Sequence, residues 1–382
     1  MKIITLYNPI LDKGGITVSY INIVNSLAEN YPDTVFHLLV NQTKVTGINP
    51  KTNIEIINIS NYQLVPEIQK INWGKYLSSV GTIFGVFYYL KKYKPHYFVS
   101  FQGHLIVLLC KLMSRSSTVL IARENTVIGH SFRMFNSKFY KLRLKVKKFT
   151  YNHINLVVTL TEAASKYSPD LLNLPETKFT AIQNINSKPI LEPYAGKKLN
   201  KLFSSSNPKI ISVSRVSQEK GVDTILKAFS LLIKTHKAEL IIVGKGSYVS
   251  SGKKLAKALG IYSHCHFIGW VQNPSQLISK SDVFVTAPIF EGFGNSIIEA
   301  MRSKTPVVST DAPFGPSEIL ENGKNGILVP VGDDIKFSSA ITYLLDNPSK
   351  SKEFATIAHQ SLIRFDPKLI ASKWGEVLGL NE

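Results

Sequence analysis

The sequence predicts an α/β protein made of two doubly wound parallel sheets, each covered by helices. Three observations lead to this prediction. Short apolar segments alternate with segments of helical length along the first half of the chain. The alternation restarts near residue 209, after a polar segment without periodicity. The length of 382 residues exceeds what one hydrophobic core supports, so two domains are expected.

The first half opens with a short apolar strand, a loop and a segment of helical periodicity. Further short apolar runs follow, each bounded by polar or turn residues. The predicted strands are residues 2–7, 35–40, 54–59, 97–101, 119–122 and 156–160, and the first helix is 16–29. Because such alternation is typical of βαβ units, these strands are expected to form one parallel sheet.

Residues 184–208 are rich in Asn, Ser, Lys and Pro and are interpreted as a linker. The second set of predicted strands is 209–213, 239–243, 264–268, 283–287, 306–309 and 327–329. Its predicted helices are 221–234, 253–259, 273–279 and 296–302. We therefore predict domains at 1–190 and 191–366, with a last helix in 367–382 packing back on the first domain. The ligand site is expected at the carboxyl ends of the strands, in a cleft between the domains.

The chain carries 45 Lys+Arg against 26 Asp+Glu, a formal net charge of +19. A positive field of this size attracts nucleic acid, anionic membranes or phosphorylated substrates, or it serves only solubility. The two cysteines, Cys110 and Cys265, lie far apart, which favours a reducing compartment. His264 and His266 flank Cys265, but three adjacent residues on a strand alternate in direction, so strand residues are favoured over a metal site.

The most informative motif runs from Glu291 to Glu299 and follows a predicted strand. Gly292 and Gly294 allow backbone amides to approach a ligand, and the helix that follows offers its positive N-terminal end to a phosphate. The two carboxylates can accept hydrogen bonds from vicinal hydroxyls on a sugar or ribose. The alternative is a glycine turn between two solvated glutamates.

Two further loops contribute cations and glycines. Arg215 and Lys220 lie in a strand-to-helix loop, where they can hold a diphosphate. Gly14 and Gly15 lie in the first such loop, ahead of the first helix. No Asp-x-Asp motif occurs, so no metal is expected and cationic side chains and helix N-termini would neutralise a leaving diphosphate.

Together these motifs resemble the family four glycosyltransferases, retaining enzymes of the two-domain Rossmann-like GT-B fold. The Glu-x7-Glu pair, the Arg215 to Gly221 loop and the glycine pair of the first loop occur in the family's order. The resemblance is strongest over residues 209–345 and weaker over 1–180. Among such enzymes, the chain resembles those that build bacterial surface polysaccharide and lipopolysaccharide.

The resemblance implies roles for these residues. Arg215 and Lys220 would stabilise the diphosphate, Glu291 would contact the donor sugar and Glu299 the ribose, and the base would lie near Gly244 and Val271. The donor-binding set implied is Gly14, Gly15, Gly244, Val271, Gly292, Phe293, Gly294, Asn295, Ser296 and Glu299. The reaction implied moves a hexose or N-acetylhexosamine, most often from UDP, to a glycan or lipid-linked glycan, without metal or cofactor.

One departure from the family pattern lies in the first domain. Many members place a histidine after a middle strand, against the donor sugar, whereas this chain has Arg123 and Glu124 there. Either residue could replace the histidine. His104, which follows another predicted strand, is a second candidate for contacting substrate, and a core or capping role is equally open.

Residues 138–148 mix six cations with aromatic and aliphatic side chains, and residues 80–90 are hydrophobic with lysines behind them. This composition favours an anionic membrane surface, or a solvated amphipathic helix. We expect a cytoplasmic protein attached peripherally to the inner face of the cytoplasmic membrane, since no apolar run reaches membrane-spanning length.

Three other classes of protein share some of these features. An epimerase or a phosphorylase of the same fold would use a similar nucleotide-sugar site. The ordered set of Arg215, Lys220, Glu291 and Glu299 favours transfer over both. A nucleic-acid-binding protein is disfavoured, because the basic residues are dispersed and no zinc or RNA-recognition motif occurs.

Overall fold

The computed structural model describes residues 2–9, 11, 15–41, 45–49, 53–59, 74–130, 138–185 and 202–381, and for 74–81 the backbone only. The chain divides into two compact units. The first consists of Met1–Ile185 and Phe365–Glu382, and the second of Asn186–Arg364. The sequence predicted these divisions at 190/191 and 366/367.

The first unit contains a seven-stranded parallel sheet in the order β3-β2-β1-β4-β5-β6-β7 within its described residues. Its strands are β1 (Ile3–Tyr7), β2 (Val35–Val40), β3 (Ile54–Asn58), β4 (Tyr97–Ser100), β5 (Val119–Arg123), β6 (Leu156–Thr159) and β7 (Phe179–Ala181). The central strands are almost continuously apolar and buried, as expected for a parallel sheet covered on both faces.

Two helical layers cover this sheet. The described helices of the unit are α1 (Gly15–Asn30), α2 (Gly74–Tyr93), α3 (His104–Ser114), α4 (Tyr140–His153), α5 (Glu162–Leu172) and α13 (Pro367–Val377). One core joins α1 and α13 around the buried Trp374, and another joins α2, α3 and α4. Asp366 starts α13 by accepting hydrogen bonds from the amides of Lys368 and Leu369, and Pro367 supplies a preset backbone angle.

The second unit contains a six-stranded parallel sheet in the order β10-β9-β8-β11-β12-β13. Its strands are β8 (Lys209–Val213), β9 (Glu239–Val243), β10 (Cys265–Gly269), β11 (Val283–Thr286), β12 (Val307–Thr310) and β13 (Ile327–Val329). Its helices are α6 (Val222–Leu232), α7 (Val249–Ala258), α8 (Ser275–Ser279), α9 (Asn295–Arg302), α10 (Gly315–Ile319), α11 (Asp334–Asp346) and α12 (Pro348–Gln360). This strand order matches that of dinucleotide-binding domains, with its reversal between β8 and β11.

The predicted fold class is confirmed, while several elements differ from the sequence prediction. The three-residue strand β7 adds a seventh strand, because so short a segment carries no visible alternation. The hydrophobic stretch 80–90 lies inside α2. The helix predicted at 253–259 begins earlier, at Val249. Helices α11 and α12 were not predicted at all.

Candidate functional site

The reversal point of the second sheet brings two loops of the sequence motifs together. Arg215 and Lys220 follow β8, while Glu291 follows β11, and these two strands are hydrogen-bonded neighbours. The Lys220 Nζ lies 2.5 Å from Glu291 Oε2, and the two side chains are only 17% and 20% exposed. The Ile289 amide donates to the Glu219 carbonyl at 2.9 Å and so fixes one loop against the other. Ligands of doubly wound folds bind at this edge.

Arg215 takes a different position in the same loop. Its side chain is 69% exposed, and its guanidinium lies 4.0 Å from the Glu219 carboxylate. An exposed pair at this distance holds the side chain weakly, so the guanidinium can reorient toward an anion. Lys220 is thus fixed by Glu291, whereas Arg215 is free to move.

The segment from Glu291 to Glu299 is braced by the loop before α10. The Glu291 amide donates to the Pro313 carbonyl at 2.9 Å, and its carbonyl accepts from the amides of Phe314 and Gly315. A Cβ on Gly315 would lie 1.8 Å from the Phe293 carbonyl oxygen, so the contact requires glycine. Gly294 precedes α9 with φ 119°, a left-handed conformation that also suits glycine.

The remaining donor-binding candidates of this motif cluster at the start of α9. Phe293 is buried, Asn295 and Ser296 form the first turn of the helix, and Gly292 lies in the loop before it. The positive end of the helix dipole therefore points toward the loop that follows β11.

Glu299 lies on α9 and is partly buried. Burial raises the pKa of its carboxyl to about 7, although the nearby Arg302 acts in the opposite direction. Within the described residues, the structure shows no hydrogen bond to this carboxylate. A desolvated carboxyl without donors is destabilised as an anion and would gain from hydroxyl groups of a ligand.

A cavity of about 300 Å³ lies at the carboxyl ends of β9 and β10. Its lining residues include Gly244, Lys245, Gly246, Lys253, Phe267 and Gly269. The Gly244 amide donates to the Gly269 carbonyl at 2.7 Å, which joins the two loops. Val271 lies next to the exposed Trp270 and is itself buried. The cavity thus occurs where the resemblance places a nucleotide base.

Gly244 is required by packing as well as by its backbone angle. A Cβ there would lie 1.8 Å from the Ser214 carbonyl oxygen, at φ 143°. Gly269 has φ 84° but opens onto free space. We expect Gly244→Ala to lower the free energy of unfolding by roughly 2 kcal/mol or more beyond Gly269→Ala. Chemical denaturation of both variants measures this, and equal losses would contradict the clash.

In the first unit, the carboxyl ends of β4 and β5 bring His104 and Glu124 together. His104 begins α3, and its Nδ1 lies 2.7 Å from the Ser100 hydroxyl. Glu124 directly follows β5 and is 8% exposed. Burial, and then the charge of Lys147, lower the pKa of His104 to about 4, against the opposite effect of Glu124. The imidazole is therefore neutral near pH 7.

Glu124 is surrounded by donors that the sequence reasoning missed. Lys147 Nζ lies 2.5 Å from Oε2, Tyr151 donates its hydroxyl to the same oxygen, and Thr126 donates to Oε1 at 3.1 Å. Burial alone would raise the pKa of Glu124, but Lys147, His104 and Tyr151 together hold it below its usual value. No feature of the sequence distinguishes Lys147 from the neighbouring cations or pairs it with Glu124.

Arg123 faces the opposite side of the sheet and is completely buried. Its guanidinium donates to the carbonyls of Thr159 and Ile182 and to the Asn184 side chain, and it lies 5.7 Å from the Trp374 ring. Burial lowers the pKa of Arg123 to about 9. The two terminal nitrogens of Arg123 donate to protein acceptors, whereas its buried Nε has no partner among the described residues. Arg123 is therefore placed to support the fold, and the geometry favours Glu124 or His104 for contacting a substrate.

The structure describes only some of the remaining residues that the sequence analysis singled out. Gly15 begins α1 and is exposed, while Gly14 lies outside the described residues. His266 and His264 contact the Glu239 carboxylate at 2.8 Å and 3.6 Å, at the opposite end of the second sheet from the cavity. In the described ranges, no group of three or more acidic, histidine or cysteine side chains is arranged to hold a metal. No helix within the described part of the chain has the length and hydropathy needed to span a bilayer.

The two doubly wound sheets define a Rossmann-like protein of the GT-B fold class. Residues 197–361, in the second unit, match the family model described as "Glycosyl transferases group 1". The predicted resemblance to glycosyltransferases is thereby confirmed. The crystal structure of Anabaena HepE in complex with UDP-glucose has a TM-score of 0.77, at 18% identity and with coverage of 99% of this chain and 100% of that one.

Two curated relatives illustrate the match. LpsE of Rhizobium meliloti, a lipopolysaccharide core biosynthesis glycosyltransferase, is 30% identical over 172 residues, 45% of this chain and 49% of the relative. The N-acetylgalactosamine-N,N'-diacetylbacillosaminyl-diphospho-undecaprenol 4-alpha-N-acetylgalactosaminyltransferase of Campylobacter jejuni is 25% identical over 282 residues, 69% of this chain and 76% of the relative. The chain spans about half the length of the first curated relatives it matches.

Proposed function

We propose that this protein is a retaining glycosyltransferase that uses a nucleotide-diphosphate sugar. The observation that carries the proposal is the ion pair between Lys220 and Glu291. Glu291 belongs to the same loop-to-helix segment as Glu299, whose carboxylate accepts no hydrogen bond within the described residues. The pair lies in the unit that matches the glycosyltransferase family model. The site combines Lys220, a cation that can bind a diphosphate, with the carboxylates of Glu291 and Glu299, which can accept hydrogen bonds from hydroxyl groups.

Each group has a part in the proposed reaction. Arg215 and Lys220 neutralise the diphosphate as the bond between its oxygen and C1 of the sugar breaks. Glu291 accepts a hydrogen bond from the donor sugar, and Glu299 accepts from the ribose. The cavity beside Gly244 receives the base. The acceptor oxygen attacks C1 from the face that the diphosphate leaves, and its proton passes to the departing phosphate oxygen.

UDP is the proposed carrier, a hexose or N-acetylhexosamine the proposed sugar, and a glycan or lipid-linked glycan of the bacterial surface the proposed acceptor. HepE was crystallised with UDP-glucose, and the Campylobacter jejuni relative is named for an acceptor on diphospho-undecaprenol. These relatives support the choice of substrates. We propose that no metal takes part, since cationic side chains are available for the diphosphate.

The test is incubation with labelled UDP-glucose, UDP-galactose and their N-acetyl forms, with and without a bacterial glycolipid extract. We expect label to enter the extract, NMR of the product to show the donor's anomeric configuration, and EDTA to leave the rate unchanged. Isomerised sugar released without acceptor would indicate an epimerase, and phosphate-dependent sugar phosphate a phosphorylase. Binding of random DNA without nucleotide-sugar binding would indicate a nucleic-acid-binding protein.

The first unit offers a surface for an anionic membrane, which we propose as the place of the acceptor. Helix α3 packs against both α2 and α4, and the three helices contain no Asp or Glu. Their exposed large apolar side chains are Phe84, Tyr88, Leu109, Leu112, Met113, Leu142, Val146 and Phe149. The cations Lys141, Arg143 and Lys145 lie among them on α4. We name this surface, formed by α2, α3 and α4, the basic helical face.

We expect the basic helical face to bind vesicles that contain anionic lipid and not to bind neutral vesicles. Charge reversal of Lys141, Arg143 and Lys145 to Glu should weaken binding about tenfold or more, because each cation contributes about 1 kcal/mol near such a surface. The matched control reverses the exposed Lys234, Lys237 and Lys280 of the second unit, with the same change in net charge. Flotation measures both. Equal binding to neutral vesicles, or equal losses in the two variants, would remove the proposal.

A further inference from the structure

The charged cluster around Glu124 is not explained by folding alone. Its carboxylate is 8% exposed, yet three donors converge on it: Lys147, Tyr151 and Thr126. Lys147 and Tyr151 both lie on α4, whereas Glu124 directly follows β5, so the helix carries both groups to the carboxyl edge of the first sheet. An arrangement that keeps a buried carboxylate charged costs desolvation energy and is common where a charge is used.

We infer that Lys147 and Tyr151 are positioning residues, which hold Glu124 as a fixed anion that accepts a hydrogen bond from a substrate hydroxyl. The inference rests on the proposed transfer reaction and adds two residues to its machinery. Glu124 then takes the place that a histidine holds in the family pattern. A neutral histidine and an anionic carboxylate both accept hydrogen bonds from hydroxyl groups, so the exchange preserves the interaction.

The neighbouring groups fit this role. Among the described residues, His104 on α3 is the titratable group beside Glu124 in addition to Lys147 and Tyr151. It stays neutral near pH 7 because burial and Lys147 depress its pKa. It therefore does not compete for the carboxylate as a cation. The pKa of Tyr151 is raised by its burial and by Glu124, so its hydroxyl remains a donor. Lys147 is the cation that compensates the carboxylate, at 21% exposure.

The experiment measures kcat against pH for hydrolysis of UDP-glucose and UDP-N-acetylglucosamine at saturating donor. Saturation reports the bound complex, in which Glu299 is already engaged. In the intact protein Glu124 is ionised down to low pH. In Lys147→Met the cation is gone and burial dominates, so the pKa of Glu124 rises and the acid limb should move upward by about one pH unit or more. Lys147→Arg should restore the original limb.

Two further variants test whether the shift of the acid limb is specific to the Glu124 cluster. Tyr151→Phe should move the limb in the same direction by less, because it removes one hydrogen bond and no charge. Lys166→Met, at an exposed lysine on α5, should leave the profile unchanged. A Lys147→Met enzyme with a uniformly reduced kcat and an unshifted acid limb would overturn the inference.

A stability measurement keeps the test independent of turnover. The melting temperature of Lys147→Met should fall relative to the intact protein as pH rises from 5 to 8, since an unpaired buried carboxylate must then ionise. Glu124→Gln/Lys147→Met should lose this pH dependence, and its persistence would overturn the inference. If no donor is hydrolysed by the intact protein while this coupling is present, the proposed function fails and the Lys147–Glu124 pairing stands.

Discussion

Replacing Lys220 or Arg215 with Ala is expected to lower kcat by about 100-fold or more. Charge develops on the diphosphate as it leaves, and removal of a single group that stabilises such charge typically costs this much. Lys220 is held by Glu291 at 2.5 Å, so it needs little reorganisation to meet the diphosphate. Arg215 is 69% exposed and has to move to it. We therefore expect the larger loss for Lys220→Ala in kcat, with Arg215→Ala also weakening donor binding.

The control for this prediction is Lys227→Ala. Lys227 is an exposed lysine on α6, the helix that follows the same loop, so net charge changes equally. Because Lys220→Ala also leaves Glu291 without its partner, Lys220→Ala/Glu291→Gln tests whether the loss reflects a stranded carboxylate. Steady-state kinetics with the preferred donor measure all four proteins. Near-normal turnover in both Lys220→Ala and Arg215→Ala would remove the diphosphate assignment.

The arrangement of two parallel sheets was predictable because short, apolar, regularly spaced strands are typical of such sheets. The contact between Lys220 and Glu291 was not predictable. Lys220 and Glu291 are 71 residues apart, and only the β8–β11 adjacency brings them together. The sequence placed both on strand-to-helix loops, but strand order in a doubly wound sheet is a property of long-range packing.

In the first unit, the sequence could have separated the roles of Arg123 and Glu124 but not identified Lys147. Arg123 and Glu124 are consecutive residues at a strand end, and successive side chains on a strand point to opposite faces. This periodicity could have separated them before the structure was known. Lys147 could not be singled out, because it is one of five cations in α4 and its inward direction depends on the packing of that helix.

Glu299→Gln is expected to weaken donor binding while stabilising the free protein at high pH. The proposed ribose contact needs an anionic carboxylate, and an amide accepts more weakly and is uncharged. We expect the affinity for UDP to fall about tenfold or more in the variant, because hydrogen bonds to charged groups contribute about 1.5–3 kcal/mol. For the intact protein, affinity should also fall as pH drops below about 7, where Glu299 takes up a proton. Calorimetric titration with UDP at pH 6 and pH 8 measures both effects.

The expected effect of Glu299→Gln on stability is opposite to its effect on UDP binding: the variant should be more stable while it binds UDP less well. The pKa of Glu299 is raised from 4.5 to about 7 on folding, so ionising it opposes folding. Below the unfolded pKa the group is protonated in both states and costs nothing. The penalty grows as pH rises from there and is complete above the folded pKa. Glu299→Gln should therefore raise the free energy of unfolding by about 1–3 kcal/mol at pH 8 and by little at pH 5.

Asp333→Asn, at a carboxylate that caps the start of α11 elsewhere in the second unit, provides a control for the loss of one carboxylate. It should lose a little stability at pH 8, because it removes a negative charge from the positive end of the helix dipole. If Glu299→Gln instead destabilises the protein at both pH values, Glu299 contributes to folding and the proposed ribose contact loses its physical basis. If it stabilises without changing UDP affinity, the carboxylate is desolvated for a different ligand. A gain in stability together with a loss of UDP binding would show that the Glu299 carboxylate destabilises the free protein and is retained for substrate binding.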